Sequence, residues 1–312
     1  MSRAFVFPGQ GAQTVGMGRD LADAYPVAKA VFDEVDDALG EKLSDLIWDG
    51  DIETLTLTAN AQPALMATSL AAFRALEAEG VTISAASFVA GHSLGEYSAL
   101  AAAGALTVSD CARLLRTRGK AMQEATPVGT GAMAAILGLD LDAVREVAEA
   151  AAQGDVCQAA NDNDPAQVVV SGDKAAVERA VEIAKEKGAK RALLLPVSAP
   201  FHSALMAPAA EVMKSALAEV AISAPAVPVV ANVRADAVND PETIRQLLCE
   251  QVTGSVRWRE SVQWMAAQGV TEAWEIGAGK ALSGMIKRID RSVATRAVGT
   301  PADVTAAAEA LA

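Results

Sequence analysis

Apolar residues along this chain follow two rhythms. Short, nearly continuous apolar runs bounded by Gly or Pro read as buried strands, and longer segments with apolar residues at i, i+3, i+4 and i+7 read as amphipathic helices. "RAFVF" (3–7) is a run of the first kind, ended by Pro8 and Gly9. Helical periodicity follows over 20–39. Pro63 suits the first turn of a helix carrying "ALMATSLAAFRALEAE", and Gly80 suits its close. "ASFVAG" (86–91) is a second strand. It leads into a small-residue helix from Leu94 to about 103, followed by a helix from Ser109 to about Glu124. Strand–helix alternation of this kind predicts an α/β body with a parallel sheet covered by helices.

The middle of the chain has another order. "GAMAAILG" (131–138) reads as a strand and "LDAVREVAEAAA" (141–152) as a helix. "VCQAAN" and "AQVVVSG" are two strands around the turn-rich "DNDP". A helix over 174–188 and a strand over 190–197 complete a β-α-β-β-α-β series. This is the ferredoxin-like pattern, and it predicts a small α+β subdomain at 128–198 inserted between body segments 1–127 and 199–312. After it come a helix at 205–219, the strand "VPVVAN", helices at 241–250 and 258–268, the strand "EAWEIG", a further helix, a strand near "ATRAVG" and an alanine-rich terminal helix.

Composition narrows the classes of function. The 312 residues are 52% hydrophobic and 21% charged, as in a soluble globular protein with a sizeable core. The net charge of −13 argues against nucleic acid or an anionic membrane as partner, because both require clustered Lys and Arg. Two small basic patches stand out, one of Lys185, Lys187, Lys190 and Arg191 and the other of Lys287 and Arg288; most such residues are solvated helix ends. Cys111, Cys157 and Cys249 are odd in number and widely spaced, with neither a metal pattern nor a disulfide framework. With no signal-like segment and no spanning apolar stretch, the expectation is a cytoplasmic protein.

Chemistry concentrates at "GHSLGEYSAL". Ser93 lies in a G-x-S-x-G pattern between a strand and a helix, where the flanking glycines permit the sharp turn that exposes a nucleophile. The helix start there supplies free N–H groups, so the N–H of Leu94 could stabilise an oxyanion. A serine needs a base, and the chain has two histidines. His92 adjoins Ser93 and diverges from it, which leaves His202 in "VSAPFHSALM". On the 109–124 helix, Cys111, Leu114, Leu115 and Met122 form an apolar stripe with Arg118 in its middle, while Arg113, Arg116 and Lys120 face away. A buried arginine must be paired, since leaving such a charge uncompensated costs about 3–5 kcal/mol. Its partner is either an internal Asp or Glu or a carboxylate on the substrate. "FPGQG" (7–11) matches neither a P-loop nor a dinucleotide fingerprint.

"FPGQGAQTVGMG", "QPALMATS", "GHSLGEYSAL", "RGKAMQEA", "GAMAAILGL", "NDNDPAQVVVSG", "SAPFHSALM" and "EIGAGKALSGMIKR" occur in that order over nearly the whole chain. Together they resemble the malonyl-CoA:acyl carrier protein transacylases of fatty-acid synthesis. The resemblance implies an α/β-hydrolase-like body with a ferredoxin-like subdomain. It implies Ser93 as nucleophile, His202 as base, and the N–H groups of Gln10 and Leu94 as oxyanion hole. Arg118 would hold the malonyl carboxylate, and the main-chain carbonyl of Gln251 would orient the histidine. Asn163 is placed near the pocket rim and Phe201 in the malonyl-preferring form of its motif. The substrates implied are malonyl-CoA and the phosphopantetheine thiol of acyl carrier protein, with no metal or redox cofactor, and the chain is expected to be a monomer. The acidic carrier would dock on Lys190 and Arg191 or on Lys287 and Arg288. Ala278 replaces a proline common in the family, and Asp164 a common serine. Two other readings share some of these residues: a serine thioesterase, in which water completes the reaction and Arg118 has no evident role, and a non-catalytic carrier-binding module.

Overall fold

The computed structural model describes residues 2–197 and 199–311 as a mixed α/β protein with two sheets. The strands are β1 (Ser2–Phe7), β2 (Phe88–Gly91), β3 (Gly131–Leu137), β4 (Cys157–Asp164), β5 (Gln167–Asp173), β6 (Arg191–Leu194), β7 (Val229–Val230), β8 (Ala237–Val238), β9 (Val270–Ile276) and β10 (Ala294–Val298). The larger sheet has the order β10-β9-β1-β2-β7-β8, with every pair parallel except β7-β8. On β1, Phe5 and Phe7 enter one apolar cluster and Ala4 and Val6 another. Both faces of the strand are therefore buried, which explains why "RAFVF" is a continuous apolar run with no alternation. Its C-terminal end, beside that of β2, delivers two loops to one place. Crevices at such strand ends are where α/β sheets bind ligands.

The smaller sheet, β4-β5-β3-β6, is antiparallel. Ala134, Ile136, Val168 and Val170 face helices Leu141–Ala152 and Lys174–Glu186. The alternate residues Met133, Ala135 and Val169 join the main core, so this sheet packs against the body. β4 runs on through Asp164, so the turn expected across "DNDP" shrinks to the residues just before β5. Ser198, the expected junction of the two units, lies outside the described residues.

Pro63 departs from expectation. It sits inside the helix Thr58–Ala78, not in its first turn. A proline at that position has no N–H for the carbonyl four residues earlier, that of Ala59. Arg116 supplies the missing donor, its Nη1 lying 2.7 Å from the Ala59 oxygen. The same guanidinium contacts Asn60 and Glu41, so Arg116 is half-buried and does not lie on an open solvated face. The segment 20–39 is two helices, Arg19–Ala24 and Pro26–Leu39, broken at Tyr25. Among the described residues no helix is long and apolar enough to cross a membrane.

Candidate active site

Ser93 sits in the turn between β2 and the helix Gly95–Ala102, with φ of 52°. That left-handed conformation is strained for a side-chain-bearing residue and is the kind of distortion that functional turns hold in place. The flanking glycines make the turn possible by close approach. A Cβ on Gly91 would fall 1.9 Å from the Gly95 carbonyl carbon, and one on Gly95 would fall 2.2 Å from the Phe7 oxygen. Asn232, just past β7, holds the turn from behind. Its Oδ1 accepts from the Ser93 N–H at 2.8 Å, and its Nδ2 donates to the Gly91 oxygen at 2.7 Å.

His202 also has a left-handed backbone, φ 57°, in the loop after β6. Its Nε2 lies 2.8 Å from Ser93 Oγ. Its Nδ1 faces two main-chain oxygens, Gln251 at 2.9 Å and Gly254 at 3.1 Å. Two acceptors on that side require the proton on Nδ1, which leaves Nε2 bare to accept from the serine. Gln251 ends the helix Pro241–Gln251. The last carbonyls of a helix lack intrahelical partners, so this one is free for the imidazole. Burial, and then the Arg118 charge, push the His202 pKa down to about 3.

Arg118 is 1% exposed. Its Nη1 donates to Gln62 Oε1 at 2.7 Å, and its Nη2 donates to Gln251 Oε1 at 2.8 Å and to Ser93 Oγ at 3.1 Å. Among the described residues no carboxylate comes within 4.0 Å of the guanidinium. Of the two partners open at the sequence level, an internal ion pair is therefore not the one present.

These groups meet in a cavity of about 420 Å³ lined by Gln10, Ser93, Leu94, Arg118, Phe201 and His202, with Met133, Asn161 and Leu195 from the smaller sheet and the chain after it. Gly9 packs the Gln10 loop against the serine turn, since a Cβ there would lie 2.6 Å from the His92 oxygen. The N–H groups of Gln10 and Leu94 have no acceptor among the described residues. Two expected site residues lie back from this wall. Asn163 binds His92, with Oδ1 to Nε2 at 2.8 Å, and its neighbour Asn161 lines the cavity instead. The side chain of Gln251 stands behind Arg118. His92 points away from Ser93 Oγ, towards Asn163 and the Trp258 ring.

Glu96, Gln62 and Asn232 complete the site and were not singled out in the sequence. Glu96 had a visible signal: it is an acid in the first turn of a helix otherwise made of small and apolar residues, and it is fully enclosed. Of the basic patches, Lys190, Arg191, Lys287 and Arg288 are exposed, and Arg288 Nε is held by buried Asp164 at 2.8 Å.

A family model described as the acyl transferase domain matches residues 4–297. The malonyl CoA-acyl carrier protein transacylase of Bacillus subtilis (strain 168) is 50% identical over 309 residues, 99% of this chain and 96% of that protein. An acyl-carrier-protein-S-malonyltransferase structure from Bartonella henselae superposes with a TM-score of 0.98 at 55% identity, covering 100% of this chain and 99% of that one. A chain in the structure of a holo type II PKS acyl-carrier protein in complex with its malonyl-transacylase superposes with a TM-score of 0.96 at 44% identity, covering 99% and 100%.

Proposed function

The chain belongs to the acyl transferase domain family, and from that premise we propose that it moves a malonyl group from malonyl-CoA to the phosphopantetheine thiol of acyl carrier protein through a malonyl-serine. The observation that carries this reading is the meeting of Ser93 Oγ with both His202 Nε2 and Arg118 Nη2, at 2.8 and 3.1 Å, in one cavity. Ser93 attacks the thioester carbonyl while His202 Nε2 takes its proton. The carbonyl oxygen becomes an oxyanion facing the N–H groups of Leu94 and Gln10, each worth about 10²–10³ in rate. Collapse expels coenzyme A thiolate, which His202 protonates. The carrier thiol then gives its proton to His202 and attacks the malonyl ester, and the reverse sequence frees Ser93. Arg118 turns its guanidinium from Ser93 to the malonyl carboxylate.

The hydrogen bonds of His202 Nδ1 favour a dyad over a hydrolase triad, because carbonyl oxygens stand where a triad has a carboxylate. With malonyl-CoA and holo carrier protein together, label should move to the carrier with little free malonate. Release mostly as malonate would make the protein a thioesterase.

The histidines supply a second test. Burial lowers both pKa values, that of His202 to about 3, so the His202 ring should stay neutral well below its ordinary 6.5. Imidazole nitrogen shifts should show His202 uncharged between about pH 8 and pH 5, as the Nδ1–H tautomer. A His202 titration near 6.5 would contradict the buried dyad. The unfolded chain takes up this proton first, so the stability contributed by the neutral His202 ring falls as pH drops from 6.5 towards about 3.

We read residues 1–127 and 199–312 as the α/β-hydrolase-like body and 128–198 as a ferredoxin-like insert, which together wall the cavity. The protein acts as a monomer, and the acidic carrier docks on exposed basic residues. Lys190, Arg191 and Lys287 suit this better than Arg288, which Asp164 already holds.

A further inference from the structure

Arg118 poses an electrostatic question that the acyl-transfer reading leaves open. Its guanidinium is fully buried and its hydrogen-bond partners, Gln62, Gln251 and Ser93, are all neutral. A buried cation without a compensating charge is strongly unfavourable before substrate arrives. The buried carboxylate Glu96 shares a hydrogen-bond partner with it, since Gln251 bonds to both side chains. Glu96 is 2% exposed, and its Oε2 accepts from Asn232 N–H at 3.0 Å and from Gln251 Nε2 at 2.8 Å.

Gln251 therefore bridges the two charges, and its amide orientation is forced. Its Nε2 faces two acceptors, Glu96 Oε2 and the Ser93 oxygen at 3.0 Å. Its Oε1 must then turn to the donor, Arg118. We propose that Glu96 is the resting counter-charge of Arg118, held one amide away by Gln251, so that the guanidinium is stabilised in the core yet left unpaired for the substrate's carboxylate. This rests on the acyl-transfer reading above. A carboxylate in direct contact would compete with malonyl for the same fork, whereas one set back by an amide stabilises the cation without occupying it. The first turn of the Gly95–Ala102 helix also favours a negative charge at that position. Burial lifts the Glu96 carboxyl to about 7, while the hydrogen bonds from Asn232 and Gln251 and the charge of Arg118 hold it down.

Glu96 is thus a positioning residue that sets how strongly Arg118 prefers a carboxylate. The test is equilibrium binding of malonyl-CoA and acetyl-CoA to Ser93→Ala protein, which cannot be acylated, at about pH 8 so that Glu96 is ionised. Adding Glu96→Gln keeps the size and the acceptor but removes the charge. Malonyl-CoA should then bind about tenfold tighter, with acetyl-CoA within about twofold. Exchanging the two groups, Glu96→Gln with Gln251→Glu, places the charge on the fork itself and should weaken malonyl-CoA at least about tenfold while sparing acetyl-CoA. Malonyl-CoA affinity unchanged by both variants, or both ligands weakened alike, would overturn the proposal. Absence of any malonyl preference in Ser93→Ala alone would instead overturn the role of Arg118 on which it rests.

Discussion

Ser93→Ala protein is expected to take up no malonyl group from malonyl-CoA and to lose at least about 10⁴-fold in transfer rate. Among the described residues, the hydroxyl is the only group at the turn that both His202 and Arg118 reach, at 2.8 and 3.1 Å, so no neighbouring side chain there inherits the attack. The backbone should persist, because the turn is held by Gly91, Gly95 and Asn232 and not by the serine hydroxyl. Time-resolved mass spectrometry checks this. Labelling that persists at the wild-type rate would sink the nucleophile assignment.

Arg118→Ala carries the second large effect, and it should appear as lost selectivity. Truncating one partner of a buried, hydrogen-bonded charge pair costs about 2–5 kcal/mol. At about 1.4 kcal/mol per decade, kcat/KM for malonyl-CoA should fall about 30- to 4000-fold. Acetyl-CoA makes no such pair, so its kcat/KM should change by less than about tenfold and the preference should collapse. Arg118→Lys should recover only part of the loss, since an ammonium keeps the charge but not the planar fork. The truncation also leaves the side-chain oxygens of Gln62 and Gln251 without their donor, so lower thermal stability is expected. Competition kinetics between the two thioesters provide the check. A retained malonyl preference would mean that another group reads the carboxylate.

The residues that announced themselves in the sequence are those whose local pattern is unusual. Ser93 stands between glycines at a strand–helix boundary, and Arg118 interrupts an apolar stripe. Both signals are local and can be read from a short stretch of the chain. The β-α-β-β-α-β order of residues 131–194 was legible for the same reason. Pro63 misled because the donor that rescues its helix, Arg116, comes from 53 residues further along the chain. Asn163 and Asn161 stand two residues apart on one strand, so spacing alone does not separate the one that reaches the cavity from the one that holds His92. In the layer behind the site, Glu96 carried a local signal as an acid in an otherwise small and apolar helix, whereas Gln62 and Asn232 carried none, because each acts across a long chain separation on groups from other elements. The main-chain oxygens of Gln251 and Gly254 carry no side-chain signature at all; the first entered through family resemblance and the second only with the structure.

The central claim is that the acyl group rests on Ser93 between donor and acceptor. Intact-protein mass after mixing with malonyl-CoA, followed by addition of holo acyl carrier protein, tests it most directly. The account predicts one malonyl group per chain, mapped to Ser93 by peptide analysis, which then disappears from the protein and appears on the carrier thiol. Turnover without any adduct, an adduct on another residue, or an adduct that leaves as free malonate while the carrier stays unloaded would contradict it.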